Sequence, residues 1–155
     1  MIGQTGAGKS SFCNTICSIF SGEIKHPSPC GSAGKSFATV YRQYHVRSNF
    51  TNINLKFCLC DTCGIVDGER PNLEDIKYLL DGSVPDDYEF DASRPINPTI
   101  RGFRKRPGLE DQVHCVAFVI DGSTAEGLDD AVWETFKKVQ DEICGRGDLQ
   151  ARPMN

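Results

Sequence analysis

Residues Gly3-Gln4-Thr5-Gly6-Ala7-Gly8-Lys9-Ser10 fill every fixed position of the phosphate-loop pattern G-x-x-x-x-G-K-[ST]. The chemistry follows from the residue types. The glycines allow a tight turn that brings the backbone close to a ligand with no Cβ in the way. Successive N–H groups then form an anion nest at the positive end of the helix that begins near Lys9. The predicted phosphate-binding residues are Gly3, Gln4, Thr5, Gly6, Ala7, Gly8, Lys9, Ser10 and Ser11. Lys9 should reach the β- and γ-phosphates, and the Ser10 hydroxyl should bind Mg²⁺. The ligand class is a nucleoside di- or triphosphate with Mg²⁺ as cofactor. A plain Gly-rich turn is the blander meaning, but Phe12, Ile16, Ile19 and Phe20 follow at i, i+4, i+7 and i+8, the apolar stripe of an amphipathic helix.

A second Gly-Lys-Ser, at residues 34–36, has Pro29 where the first glycine of the pattern belongs. Pro27 and Pro29 mark a loop, so Lys35 and Ser36 are read as loop residues. Further on, Asp61-Thr62-Cys63-Gly64 ends an apolar strand. In guanine-nucleotide switch proteins such a D-x-x-G holds Mg²⁺ through the Asp, usually by way of water, and meets the γ-phosphate with the Gly N–H. ATPases share the apolar-run-plus-Asp pattern, while a hairpin ahead of the motif favours the GTPase branch. Asp61 and Gly64 therefore join the site. A threonine that closes over Mg²⁺ should lie between the motifs. Thr39 is the candidate and Ser36 the runner-up, with an ordinary β-branched strand residue as the competing reading of Thr39. Ile65 stands where efficient switch GTPases place a water-orienting Gln, so hydrolysis should be slow, absent or supported from elsewhere.

These groups need elements to position them. Phe37 to Arg47 alternates as a strand, Ser48 to Asn52 is turn-like, and Ile53 to Cys60 is a second strand, giving an antiparallel hairpin. A short helix from Leu73 to Leu80 has Asn72 as N-cap and Gly82 as stop, with Leu73, Ile76, Leu79 and Leu80 buried. Residues 83–112 are Pro-, Asp- and Arg-rich with little periodicity, a pattern expected of a functional or mobile stretch. Their basic cluster, Arg101, Arg104, Lys105 and Arg106, reads as a solvated face. Val113 to Asp121 is a continuous apolar run of the buried parallel type. The last helix is expected over Leu128 to Cys144, ended by Gly145 and Gly147, with Leu128, Val132, Phe136, Val139 and Ile143 as its core stripe and Trp133 packing beside it. Residues 1–147 form the domain and 148–155 a polar tail.

At 155 residues, 39% hydrophobic and 25% charged, the chain is a single soluble-type domain with room for a core. The net charge of −4 gives no electrostatic case for nucleic acid or an anionic membrane. No apolar run approaches the ~20 residues of a membrane span. No leader is expected, because the loop occupies the N-terminus. Cys58, Cys60 and Cys63 invite a zinc reading that needs a fourth ligand, with His114 and Cys115 on another strand as the only suggestion. Buried free thiols in a reducing cytoplasm are the better account.

Gly-Ala-Gly-Lys-Ser-Ser-Phe at 6–12, Tyr-Arg-Gln-Tyr at 41–44, Leu-Cys-Asp-Thr-Cys-Gly at 59–64 and Val-His-Cys-Val-Ala-Phe-Val-Ile-Asp at 113–121 resemble the interferon-induced protein 44 family, including its 44-like members. The last segment is the specific part of the match, which runs from residue 1 to about 147. The resemblance implies an α/β fold of the P-loop NTPase type, a Ras-like G domain in three α-β-α layers. It also implies a cytoplasmic, interferon-inducible, antiviral or antiproliferative protein that binds GTP or GDP. Homo-oligomers or a protein partner are compatible with it, and hydrolysis is not implied. Against that pattern the first strand is a stub and no N/T-K-x-D-like base-reading element follows the last helix, so an incomplete sheet is expected. Three functions stay open: a GTPase-like nucleotide-binding domain, a non-catalytic interaction protein on the same fold, and an ATP-using P-loop protein.

Overall fold

The computed structural model describes residues 1–28, 40–64, 72–91, 93–124 and 127–150, with side chains of the last helix through Arg146. Two small sheets and three helices make a mixed α/β structure. β1 (Ile2–Gly3) leads through the Gly-rich loop into α1 (Lys9–Ser21). The antiparallel pair β2 (Val40–Arg47) and β3 (Asn54–Asp61) follows, then α2 (Leu73–Leu80), β4 (Tyr88–Glu89), a 3₁₀ turn at Leu109–Asp111, β5 (Phe118–Val119) and α3 (Asp130–Gln150).

One sheet has the order β3-β2-β4, antiparallel throughout. The other is β1 paired in parallel with β5, Ile2 opposite Phe118 and Gly3 opposite Val119. Met1 joins them: its amino group donates to Cys60 O at 2.7 Å, and Thr62 Oγ1 donates to Met1 O at 2.8 Å. The stub strand thus lies between β3 and β5, so the Gly-rich loop and the end of β3 emerge side by side.

Ile2 packs with Ile76 and Leu80 of α2 and with Val132, Phe136 and Val139 of α3. A second core gathers Tyr41, Cys63, Leu79, Val84, Phe90 and Ile96. α2 therefore serves both cores, Ile76 and Leu80 turned to one and Leu79 to the other. Its start is as expected: the Asn72 side chain accepts from Asp75 N at 2.9 Å, and Asp75 Oδ2 accepts from Asn72 N at 3.2 Å, a reciprocal capping box.

Several expectations are corrected. The stripe of Phe12, Ile16, Ile19 and Phe20 is not the face that α1 buries. Cys13, Asn14 and Cys17 point inward, while Phe12 is 46% and Ile19 64% exposed. α1 lies against β2 and β3, where small thiols and an amide allow a close approach that phenyl rings would not. Phe20 instead meets Phe57 edge-on at 5.8 Å. Residues 83–112 are irregular yet structural, supplying β4 and, in Val84, Phe90 and Ile96, half of the second core. Arg104 is only partly solvated. Its guanidinium donates to Gly82 O and Val84 O at 3.2 and 3.0 Å and pairs with Asp111 at 3.4 Å. Arg101, Lys105 and Arg106 are exposed as expected.

The run Val113 to Asp121 forms strand only at Phe118–Val119, with His114, Cys115 and Ala117 exposed, because its one described partner strand is the two-residue β1. α3 continues past Gly145 and Gly147 to Gln150. Trp133 stands edge-on to Phe136 at 6.0 Å, a packing role. The strand expected from Phe37 begins at Val40, and residues 37–39 lie outside the described part. Among the described residues no helix is long and apolar enough to cross a membrane.

Candidate functional site

The site grows from the junction of β1, the loop and α1. Gly3 is required here for a reason the motif does not state: a Cβ at this position would fall on the carbonyl oxygen of Val119 in β5. Gly6 and Gly8 have φ of 83° and 95°, the left-handed region in which a Cβ is strained. Ala7 N donates to Gln4 O at 3.2 Å and closes the turn. Gly8 is the N-cap of α1 and offers no side-chain cap; the first helical bond runs from Phe12 N to Gly8 O at 2.8 Å. The first-turn amides ahead of that bond have no carbonyl within the helix to bond. No Asp or Glu occupies that turn. The helix's own sequence thus places no negative charge at the positive end of α1, the electrostatic setting that favours an anion.

Lys9 is buried and donates from Nζ to Gly3 O at 3.0 Å and Gln4 O at 2.9 Å. Burial lowers its pKa, opposed mainly by the Asp61 carboxylate. Ser10 Oγ donates to Asp61 Oδ2 at 2.7 Å. That same oxygen accepts from Ser28 Oγ at 3.1 Å, whereas the other carboxylate oxygen, Oδ1, is buried with no hydrogen-bond partner among the described residues. An ionised carboxylate oxygen removed from water and left unpaired is costly. A cation, or a water held by one, would satisfy it, and the hydroxyl and carboxylate donors are the oxygen ligands that Mg²⁺ takes. The residues fit that ion, and Ser10 and Asp61 are the groups that would hold it.

Gly64 closes the arrangement from the other side. A Cβ there would lie 2.5 Å from Thr5 N and 2.6 Å from Thr5 Cα, so the end of the D-x-x-G segment rests directly on the Gly-rich loop. Gly64→Ala is expected to lower stability by about 2 kcal/mol through overpacking, read as a shifted urea midpoint with unchanged slope. A midpoint equal to that of the parent chain would show that the loop yields without cost.

The structure brings together Gly3 through Ser11, Asp61 and Gly64. Thr39, Ser36 and Ile65 lie outside the described residues. Ser28 and Asn14 were missed by sequence reasoning, since neither belongs to a motif and a serine after a helix has no distinguishing spacing. Among the described residues no three His, Cys, Asp or Glu side chains are grouped as metal ligands. No two cysteines among the described residues are joined in a disulfide. Burial pushes Cys63 up to about 12, so the thiol beside Lys9 is neutral.

Comparison with known proteins gives relatives over nearly the whole chain. It is 36% identical over 149 residues to interferon-induced protein 44-like of Homo sapiens, covering 95% of this chain and 33% of that protein. It is 33% identical over 148 residues to interferon-induced protein 44 of Pan troglodytes, covering 95% of this chain and 33% of that one. Interferon-induced protein 44 of Mus musculus is 32% identical over 149 residues, covering 96% and 35%. The chain spans about a third of the length of these curated relatives. No protein-family model and no solved structure matches it.

Proposed function

We propose that this chain, homologous over 95% of its length to interferon-induced protein 44 and 44-like proteins, is the Mg²⁺-dependent guanine-nucleotide-binding part of an interferon-induced immune-response protein. The supporting observation is the constellation of Lys9, Ser10 and Asp61 at the start of α1, whose first turn carries no acidic residue of its own, with one buried carboxylate oxygen left for a cation. The D-x-x-G placement of Gly64 against Thr5 and the hairpin before it favour GTP over ATP. Together these features favour the switch-type P-loop fold for the α/β structure. Bound Mg²⁺ would neutralise phosphate charge. The chain's own groups would do the rest: the loop amides and Lys9 hold the phosphates, and Ser10 and Asp61 hold the ion. Ile65 supplies no polar group to orient water, so binding with slow or absent turnover is the expected behaviour.

Binding of labelled GTP, GDP and ATP, with and without Mg²⁺, tests the proposal directly. GTP and GDP should bind at micromolar concentration in a Mg²⁺-dependent manner and outcompete ATP. Absence of any Mg²⁺-dependent binding below millimolar would sink it, and a preference for ATP would move the protein to the ATP-using class.

A further inference from the structure

Beside the phosphate loop lies a link that no motif describes. Asn14, on the inward face of α1, holds residue 28 by both ends of its carboxamide. Nδ2 donates to Ser28 O at 2.9 Å and Oδ1 accepts from Ser28 N at 2.9 Å. Both residues are buried. The amide thus pairs with the backbone of Ser28 much as a neighbouring strand would, and fixes both its position and its orientation. Fixed in that way, Ser28 Oγ donates to Asp61 Oδ2 at 3.1 Å, the oxygen that Ser10 Oγ also reaches.

The consequence concerns the carboxylate as a whole. A carboxylate with a single donor can turn about its last torsion, because that rotation is broad. Two hydroxyls converging on Oδ2, one from α1 and one from the chain beyond it, hold the plane still. Oδ1 then stays on the side where the described residues offer no donor. Outer partners of this kind orient a metal ligand and typically change metal affinity about ten- to hundredfold when removed.

We propose that Ser28, clamped by Asn14, is a positioning residue that sets the orientation of Asp61 and thereby the Mg²⁺ requirement of nucleotide binding. This rests on the nucleotide-binding reading above. It adds to that reading a residue outside every phosphate-loop motif, and it makes α1 itself, through Asn14, part of the metal site.

The test is a Mg²⁺ titration of fluorescent GDP binding to the whole chain and to its Ser28→Ala, Ser28→Thr and Asn14→Ala variants, with thermal melting alongside. Ser28→Ala should raise the half-saturating Mg²⁺ concentration about tenfold, a larger change than in its affinity in excess EDTA, and the melts without nucleotide report separately any stability lost with the buried hydroxyl. Ser28→Thr keeps the hydroxyl and should restore the parent curve. Asn14→Ala should reproduce the Mg²⁺ shift, and if it also loses stability the Ser28 pair alone carries the conclusion. A Ser28→Ala curve that superimposes on the parent overturns the proposal and leaves the nucleotide-binding reading intact. A parent chain that binds no nucleotide overturns both.

Discussion

Lys9→Ala should weaken Mg²⁺-dependent GTP binding by about a hundredfold, roughly 2.7 kcal/mol, while the fold survives. In the free protein Lys9 makes two bonds to the carbonyls of Gly3 and Gln4, within its own loop. Its pKa is lowered from 10.5 chiefly by burial, which carries a sign for stability. A lysine with a folded pKa below its unfolded one destabilises the fold in full below the folded value, and the cost fades as pH rises from there to 10.5. Alanine removes that cost together with two carbonyl bonds. The two effects oppose each other, and the melting temperature should move little.

Phosphate changes the balance. Its negative oxygens are the partners a desolvated ammonium lacks among neutral carbonyls, and charge-assisted bonds are about twice as strong as neutral ones. Saturating GTP and Mg²⁺ at about a hundred times Kd should stabilise the parent chain by about 2.7 kcal/mol, several degrees of melting temperature, and leave Lys9→Ala almost unmoved. Parallel melts with and without nucleotide, beside an equilibrium titration, measure both effects. A variant that binds GTP as tightly as the parent would remove Lys9 from the site.

The second large effect is on stability alone. Asp75→Ala should cost about 3–4 kcal/mol and lower the melting temperature by about 10 °C. Asp75 is 0% exposed. Its Oδ2 accepts from Asn72 N at 3.2 Å and completes the cap of α2. Its Oδ1 accepts from Ile96 N at 2.8 Å and pins the irregular stretch that fills the second core. Removing the side chain strands the Ile96 amide in a buried setting and opens the capping box. Because α2 contributes to both cores, the loss should appear as one cooperative transition shifted down. Chemical denaturation of Asp75→Ala and Asp75→Asn checks this; a loss below about 1 kcal/mol for alanine would show that the stretch is held by other means.

Local signals carried much of this architecture. The loop, the hairpin, the Asn72 cap with Gly82 after it, and Asp61 with Gly64 each depend on residues close in sequence, so their chemistry is readable one segment at a time. What was not legible depended on partners. α1 carries two candidate faces, and periodicity alone favours the larger apolar residues. The sheet chooses Cys13, Asn14 and Cys17 because they are small enough to lie close to β2 and β3. The run from Val113 reads as a fully buried strand, but pairing needs a neighbour, and β1 is only Ile2–Gly3. Residues 84–103 have no period because their core contacts come from single side chains, among them Val84, Phe90 and Ile96, spaced by turns. The role of Ser28 rests on Asn14 and Asp61, both remote in sequence.

The close approach at Gly3 and Gly64 bears on how such a chain would change over evolutionary time. Both positions would stay glycine in a descendant that had abandoned nucleotides altogether, since a side chain at either one collides with Val119 or Thr5 of the protein itself. Their persistence in a lineage is therefore uninformative about the ligand. Lys9 is different, because in the free protein its two carbonyl bonds do no more than offset the cost of its burial, so its loss leaves the fold nearly unchanged. Drift without a nucleotide to bind should erase the lysine first and the two glycines last.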